Sequence, residues 1–347
     1  MTEISIDQTQ TGLPTVQPTA GGGPSAVRAR GLVKRYGQIE AVRGIDLDVA
    51  PGETFGFLGP NGAGKSTTIN ILCTLVEATS GSAQVAGFDV ARERAAVRRH
   101  IGLVFQEPTL DSYLTGEQNL RFHGELYGVA RAGAAARREQ VLRMVGLWER
   151  RGDVVQKYSG GMRRRLEIAR GLLHSPKVLF LDEPTIGLDP QTRASIWSYL
   201  ADLHRTEEIT VFVTTHYMDE AEHCDRIAIM NDGRIVAMDT PARLKAQVGQ
   251  DRVQLTTADD EASIIGLRER FGLAAAMHEG KVTVSVPDGA AFIPELFTHL
   301  SVPIRSVTVQ RPTLDDVFLA HTGSTIRDVE SAGSDSSVLA ALARWGR

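Results

Sequence analysis

The chain has 347 residues, 42% hydrophobic and 23% charged, which is enough apolar content for two domains with real cores. Its 38 Lys and Arg against 42 Asp and Glu leave a formal charge of −4, which argues against a protein that coats nucleic acid, so no nucleic-acid partner is expected. There is no apolar run of about 18 residues to span a bilayer, no secretory-type leader, and only two cysteines, Cys73 and Cys224, so a reduced, cytosolic chain is expected.

Residues 1–25 are rich in Thr, Gln, Gly and Pro and read as a disordered leader. Short strand-like runs follow at Ala26–Ala29, Ile45–Val49 and Thr54–Leu58, then a helix over Thr67–Leu75. Gly102–Phe105 reads as a strand, and the Arg- and Ala-rich stretch Glu117–Arg151 as helical. Apolar, β-branched runs at Lys177–Leu181 and Thr210–Thr214 each precede a helical segment. This alternation predicts an α/β fold with a mostly parallel sheet covered on its faces.

Beyond Gln247 the period changes. A strand at Arg252–Thr257 and a helix at Ala262–Phe271 come first, then a hairpin of Ala274–His278 and Lys281–Val286 turning at Glu279-Gly280. A helix at Ala290–Leu300 and a strand at Ile304–Val309 complete a βαββαβ order, as in ferredoxin-like domains. Thr313-Leu-Asp-Asp316 resembles a capping box opening a last helix to His321. The tail after Gly323 reads as flexible, with a short amphipathic helix over Val338–Trp345. The expected organisation is therefore a leader to residue 25, a main α/β domain over 26–246, a small α+β domain over 247–323 and a tail over 324–347.

Gly59-Pro60-Asn61-Gly62-Ala63-Gly64-Lys65-Ser66 matches the phosphate-loop pattern GxxxxGK[ST] between a strand and a helix. Its glycines let backbone N–H groups turn inward on a phosphate, and the helix N-terminus adds partial positive charge. Lys65 would bridge the β- and γ-phosphates and Ser66 would bind Mg²⁺. Lys177–Leu181 ends in Asp182, placed to hold Mg²⁺ through water, and Glu183 follows to polarise an attacking water. An Asp-Glu pair alone also suits an ordinary turn; the phosphate loop upstream favours the metal reading.

Ser159-Gly160-Gly161 at a helix start forms a second anion-binding nest, or simply an N-cap. His216 follows a strand, where its ring would reach a γ-phosphate, although a lone histidine is more often structural. Gln106, at a strand end, can ligate Mg²⁺ or water or be a loop glutamine; Tyr36 can stack on adenine or belong to the core.

In this order, over about Val27–Leu244, the residues closely resemble the nucleotide-binding subunit of ABC transporters, an ABC ATPase fold of the P-loop class with a helical subdomain at about 107–157. The resemblance implies ATP and Mg²⁺ as ligands, with Tyr36 as the adenine-stacking residue and Walker A over Gly59–Thr67. It places the Q-loop at Gln106, the signature at Ser159–Met162, Walker B at Val178–Asp182 and the catalytic glutamate at Glu183. Gly187-Leu188-Asp189 matches the D-loop and His216 the switch histidine. It further implies a head-to-tail homodimer in which Ser159 and Gly161 of one subunit close on ATP held by the other.

Tyr158 stands where that family usually has leucine, and Met162 where it has glutamine; the serine and both glycines are kept. Tyr158–Met162 followed by Arg163-Arg-Arg-Leu-Glu167, and the segment Pro312–Gly323, are similar to daunorubicin-resistance exporter ATPases. That group works with a separate multi-span permease, which implies a subunit on the inner face of the cell membrane energising efflux of a hydrophobic compound. Export of lipid, polysaccharide or ions, and a soluble ABC ATPase acting on ribosomes or DNA, stand as the alternatives.

Overall fold

The structure, a computed structural model, describes residues 25–278 and 280–323. The expected leader, the tail with its Val338–Trp345 helix, and Glu279 of the hairpin turn lie outside the described residues, apart from Ser25 at the leader's end.

Strands β1 (Val27–Tyr36) and β2 (Ile39–Val49) form a long antiparallel hairpin, followed by β3 (Thr54–Leu58) and α1 (Lys65–Leu72). The hairpin is far longer than the short strands expected from sequence. Register shifts between Ala29 and Leu32 and between Leu32 and Val33 interrupt the alternation by which a strand is recognised. The helix starts two residues before the expected Thr67 and ends at Leu72. Gly64 at its N-cap takes φ 102°, and Thr74 just beyond it turns left-handed at φ 63°. Next come β4 (Ser80–Val85), β5 (Phe88–Asp89), α2 (Arg94–His100) and β6 (Ile101–Val104). Strands β2-β1-β4-β5 make one antiparallel sheet, which the sequence reading did not separate from the parallel one.

The expected helical stretch Glu117–Arg151 is two helices, α3 (Gly116–Leu126) and α4 (Arg131–Met144), then a short turn of 3-10 helix at Trp148–Arg150. Gly133, at φ 97°, kinks α4 near its start. The chain continues through α5 (Gly160–Leu172), β7 (Val178–Asp182), α6 (Pro190–Glu207), β8 (Thr210–Thr215), α7 (Met218–Ala221), β9 (Arg226–Asn231), β10 (Arg234–Asp239) and α8 (Pro241–Val248).

The second sheet has the order β10-β9-β3-β8-β7-β6. Its strands are parallel except β10, which pairs antiparallel with β9. Alternation along its strands sorts two cores. Phe55, Phe57, Phe180 and Phe212 point toward the antiparallel sheet and α1, while Leu179, Leu181, Val211 and Val213 join Leu166, Ile196 and Trp197 in a core with the helices α5 and α6.

The C-terminal elements are β11 (Asp251–Thr257), α9 (Asp260–Phe271), β12 (Ala275–His278), β13 (Lys281–Val286), α10 (Gly289–His299), β14 (Ile304–Gln310) and α11 (Leu314–Thr322). The antiparallel order β12-β13-β11-β14 is that of a βαββαβ ferredoxin-like sheet, around a third core that includes Val253, Leu255, Val284, Phe292 and Leu296. The capping box at Thr313 and Asp316 opens α11. That helix, however, buries Leu314, Val317 and Phe318 in the core of the main α/β unit with Leu244 of α8. The chain thus returns from the small unit to the large one.

Candidate nucleotide site

The parallel strands β3, β8 and β7 lie side by side, with Leu58 opposite Thr215 and Asp182 opposite Thr214. Their C-terminal ends therefore open on one edge, where α/β sheets bind ligands. β8 runs between the strand that leads to the phosphate loop and the strand that ends in Asp182.

The loop from Gly59 to Gly64 turns against the chain behind it. A Cβ at Gly59 would stand 2.2 Å from the Met230 carbonyl oxygen, and one at Gly64 would stand 2.4 Å from that of Ala41. Lys65, in the first turn of α1, folds back so that its ammonium donates to the carbonyls of Gly59 (2.7 Å) and Pro60 (3.0 Å). Asn61 and Gly62 at the loop's tip are exposed, whereas Pro60, Ala63, Gly64 and Lys65 are buried. Ser66 donates its hydroxyl hydrogen to Asp182 Oδ1 at 3.1 Å, and Thr67 follows it in the same helix. Thr214 also donates to Asp182 Oδ1, at 2.5 Å, and accepts from the backbone N–H of Glu183 at 3.0 Å. Ser66 and Asp182 thus present hard oxygen donors to one point, a donor set that suits Mg²⁺.

Glu183 sits in the left-handed region at φ 46°, an uncommon conformation for a residue with a side chain. One carboxylate oxygen lies 3.4 Å from Lys65 Nζ and the other 3.4 Å from His216 Nδ1. Glu183 Oε2 and His216 Nδ1 face each other at 3.4 Å, both buried and neither in a well-aligned hydrogen bond. Burial works to raise the pKa of the Glu183 carboxyl, but His216 and Lys65 together outweigh it and hold the group below the usual carboxylate range. It is a carboxylate, able to accept a proton, at neutral pH.

The remaining expected residues are distributed around this centre. Tyr36 ends β1 at the hairpin turn, half-exposed, with Lys34 Nζ 4.8 Å from its ring centroid. Gln106 is exposed in the loop beyond β6; no hydrogen bond joins it to Ser66 or Asp182 among the described residues. Ser159 caps α5 by accepting from Met162 N–H at 3.2 Å, and the serine and Gly160 are open to solvent. Gly161 is buried against α6, where a Cβ would meet Thr192 Cγ2 at 2.3 Å. Asp189 caps α6 by accepting from the backbone and hydroxyl of the same Thr192, at 2.9 and 2.6 Å, bonds that hold its carboxyl below the usual range. The structure therefore brings Gly161 and Asp189 onto one surface through Thr192.

The two unusual signature residues have structural partners. Tyr158 is buried and donates its hydroxyl hydrogen to the Arg150 carbonyl at 2.7 Å, and Met162 packs against the helical core. Sequence reasoning missed Thr214, counted only as the end of a β-branched run. It also missed Glu220, which accepts from Thr185 and, at 2.7 Å, from Thr215 and so ties the segments after Glu183 and before His216 together. Nothing in a linear sequence distinguishes these from ordinary core polar residues.

Residues 42–186 match the family described as ABC transporter, and residues 240–322 the C-terminal domain described as that of ATP-binding proteins like DrrA1-3. Over 319 residues the chain is 39% identical to the linearmycin resistance ATP-binding protein LnrL of Bacillus subtilis, which covers 87% of this chain and 100% of that protein. The chain belongs to the ABC transporter ATP-binding subunits. This subunit is also 40% identical to the daunorubicin resistance ATP-binding protein DrrA2 of Streptomyces coeruleorubidus, over 88% of this chain and 98% of that one. Its fold matches the ATP-binding cassette MJ0796, solved as a dimer in a post-hydrolysis state bound to ADP and Pi, with a TM-score of 0.56 and 30% identity, covering 62% of this chain and 98% of that one. As an ABC ATPase the subunit binds and hydrolyses ATP. No helix among the described residues is long and apolar enough to cross a membrane.

Proposed function

We propose that this ABC ATPase powers efflux of a hydrophobic, antibiotic-like compound through a separate multi-span permease, working as a head-to-tail homodimer on the inner face of the cell membrane. Its similarity along nearly the whole chain to linearmycin and daunorubicin resistance proteins supports the class of cargo. The observation that carries the chemistry is the convergence of Lys65, Asp182, Glu183 and His216 at the ends of three adjacent strands.

In this reading the phosphate chain of ATP lies along Gly59–Thr67, and Lys65 leaves its carbonyl partners for the β- and γ-phosphates. Ser66 and Asp182, with Gln106, would hold Mg²⁺, and the ion, when bound, would neutralise charge building on the phosphate oxygens. Glu183 takes a proton from water as its oxygen attacks the γ-phosphorus, and the bond to the β–γ bridging oxygen breaks to release ADP. His216 holds Glu183 Oε2 and turns its ring to the γ-phosphate. Tyr36 stacks on adenine. Ser159, Gly160 and Gly161, with Asp189 beside them, complete the site from the second subunit by donating to the γ-phosphate from the free start of α5.

Replacement of Glu183 by Gln tests the assignment. ATP binding is expected to persist while turnover drops at least a hundredfold, and near-normal turnover would remove Glu183 from its role. The same variant, tagged and recovered from solubilised membranes with ATP present, is expected to bring one multi-span protein with it. Recovery of ribosomal or DNA-bound material instead would overturn the transport reading.

A further inference from the structure

Arg164 of α5 is 6% exposed and Glu167, one turn on, 1%. The Arg164 guanidinium donates to the Asp182 carbonyl at 3.0 Å, to the Pro184 carbonyl at 2.6 Å and to the Phe105 carbonyl. Two of these acceptors bracket Glu183, the left-handed residue, and the third directly precedes Gln106. The fourth contact of the fork is Glu167 Oε2 at 3.0 Å, while Glu167 Oε1 accepts from the Thr109 backbone N–H at 2.7 Å. Arg170, a further turn along, donates to the Thr109 hydroxyl. The loop that carries Gln106 is thereby held at both ends by a helix whose first residues are Gly160 and Gly161.

We infer that Arg164 and Glu167 are positioning residues for hydrolysis. They hold the strained Glu183 backbone and the Gln106 loop in register with the signature helix, so that a shift of α5 moves both. A planar guanidinium with donors in a fixed fork reaches three carbonyls on separate segments, which a single ammonium cannot do. A carbonyl-bracketed, left-handed Glu183 would relax toward an ordinary conformation without that fork, carrying its carboxylate away from the water it activates. This inference rests on the assignment of Glu183 as proton acceptor.

The full-length variant R164M/E167Q removes both charges at nearly constant volume, an exchange that buried ion pairs commonly tolerate. The amide oxygen that E167Q introduces can still accept from the Thr109 N–H. The ATPase kcat of this variant is expected to fall tenfold or more, with KM for MgATP within about threefold of the parent and the thermal midpoint little changed. R164K, which keeps the charge but loses the fork, is expected to fall between the two. Parental kcat in the folded double variant overturns the inference; so does a kcat loss that only tracks the fraction of folded protein. Should the double variant not fold, R164K decides alone: lower kcat at unchanged KM supports positioning, and unchanged kcat overturns it. E183Q assayed in parallel separates the two ideas. A dead E183Q with an active R164M/E167Q removes only the positioning role, whereas an active E183Q removes the assignment beneath it.

Discussion

Lys65 Nζ lies 3.4 Å from Glu183 Oε1 with both side chains buried, 3% and 6% exposed, so the proposed phosphate-binding cation and the proposed catalytic base neutralise each other. In the proposed mechanism an incoming phosphate chain would compete with Glu183 for the ammonium, which would leave the carboxylate to His216 and to water.

Lys65→Met should therefore act twice. It removes the cation for phosphate, so affinity for a fluorescent ATP analogue is expected to fall more than tenfold. It also strands a buried carboxylate, costing roughly 2–4 kcal/mol in chemical denaturation. Adding Glu183→Gln to Lys65→Met is expected to return the stability and leave nucleotide affinity low; failure to return it would mean that the pair does not couple. The sign with pH follows from the lowered pKa of Glu183. The group adds stability above its unfolded value of 4.5, and that contribution is lost as pH falls through the lower folded value.

Tyr158 and Gly116 form a second pair with a measurable consequence. A Cβ at Gly116 would come 2.5 Å from the Tyr158 hydroxyl oxygen, which is itself bound to the Arg150 carbonyl. Gly116→Ala is expected to cost about 1–3 kcal/mol in the parent. In a Tyr158→Phe background, which itself loses about 1 kcal/mol with the hydrogen bond, the cost should shrink. Strict additivity in this double-mutant cycle would show that the hydroxyl and the missing Cβ do not share the space.

His123 on α3 is expected to contribute to the acid limb of stability. Burial, with the nearby Arg170 charge, pushes its pKa down from 6.5 to about 4. The unfolded chain takes up this proton near pH 6.5 and the folded chain resists until about 4. The contribution of His123 should thus decline as pH falls through that window and level off below it. His123→Gln is expected to flatten the decline in urea titrations at about pH 7, 5.5 and 4.5. An unchanged slope would assign the loss to other groups.

The chemistry was legible where it is local. A phosphate loop needs glycines and a lysine at fixed spacing along a strand–turn–helix, and Gly59–Ser66 shows all of these before any folding is considered. The βαββαβ order past Gln247 was equally readable, because Lys281–Val286 alternates cleanly and the helices begin at Asp or Thr caps. The β1–β2 hairpin was not, because bulges at Gly31 and Gly44 break the alternation over the sheet's longest strands. The strands Arg226–Asn231 and Arg234–Asp239 were missed as well. β9 is buried in the middle of its run and shows no period of two, and β10 is an edge strand only partly covered.

By itself, the sequence determined that a phosphate-binding loop, an acidic strand end and a capped glycine pair exist in one chain, since each is a short run whose geometry follows from its own residues. Only the tertiary structure decided that β8 inserts Thr214 between the phosphate-loop strand and Asp182. It alone decided that Arg164 spans three segments to bracket Glu183, and that α11 comes back from the small C-terminal unit to pack on α8. Those relationships join residues from about 20 to more than 100 positions apart. They are set by strand order and by which faces must be buried, and neither leaves a mark on any single stretch of chain.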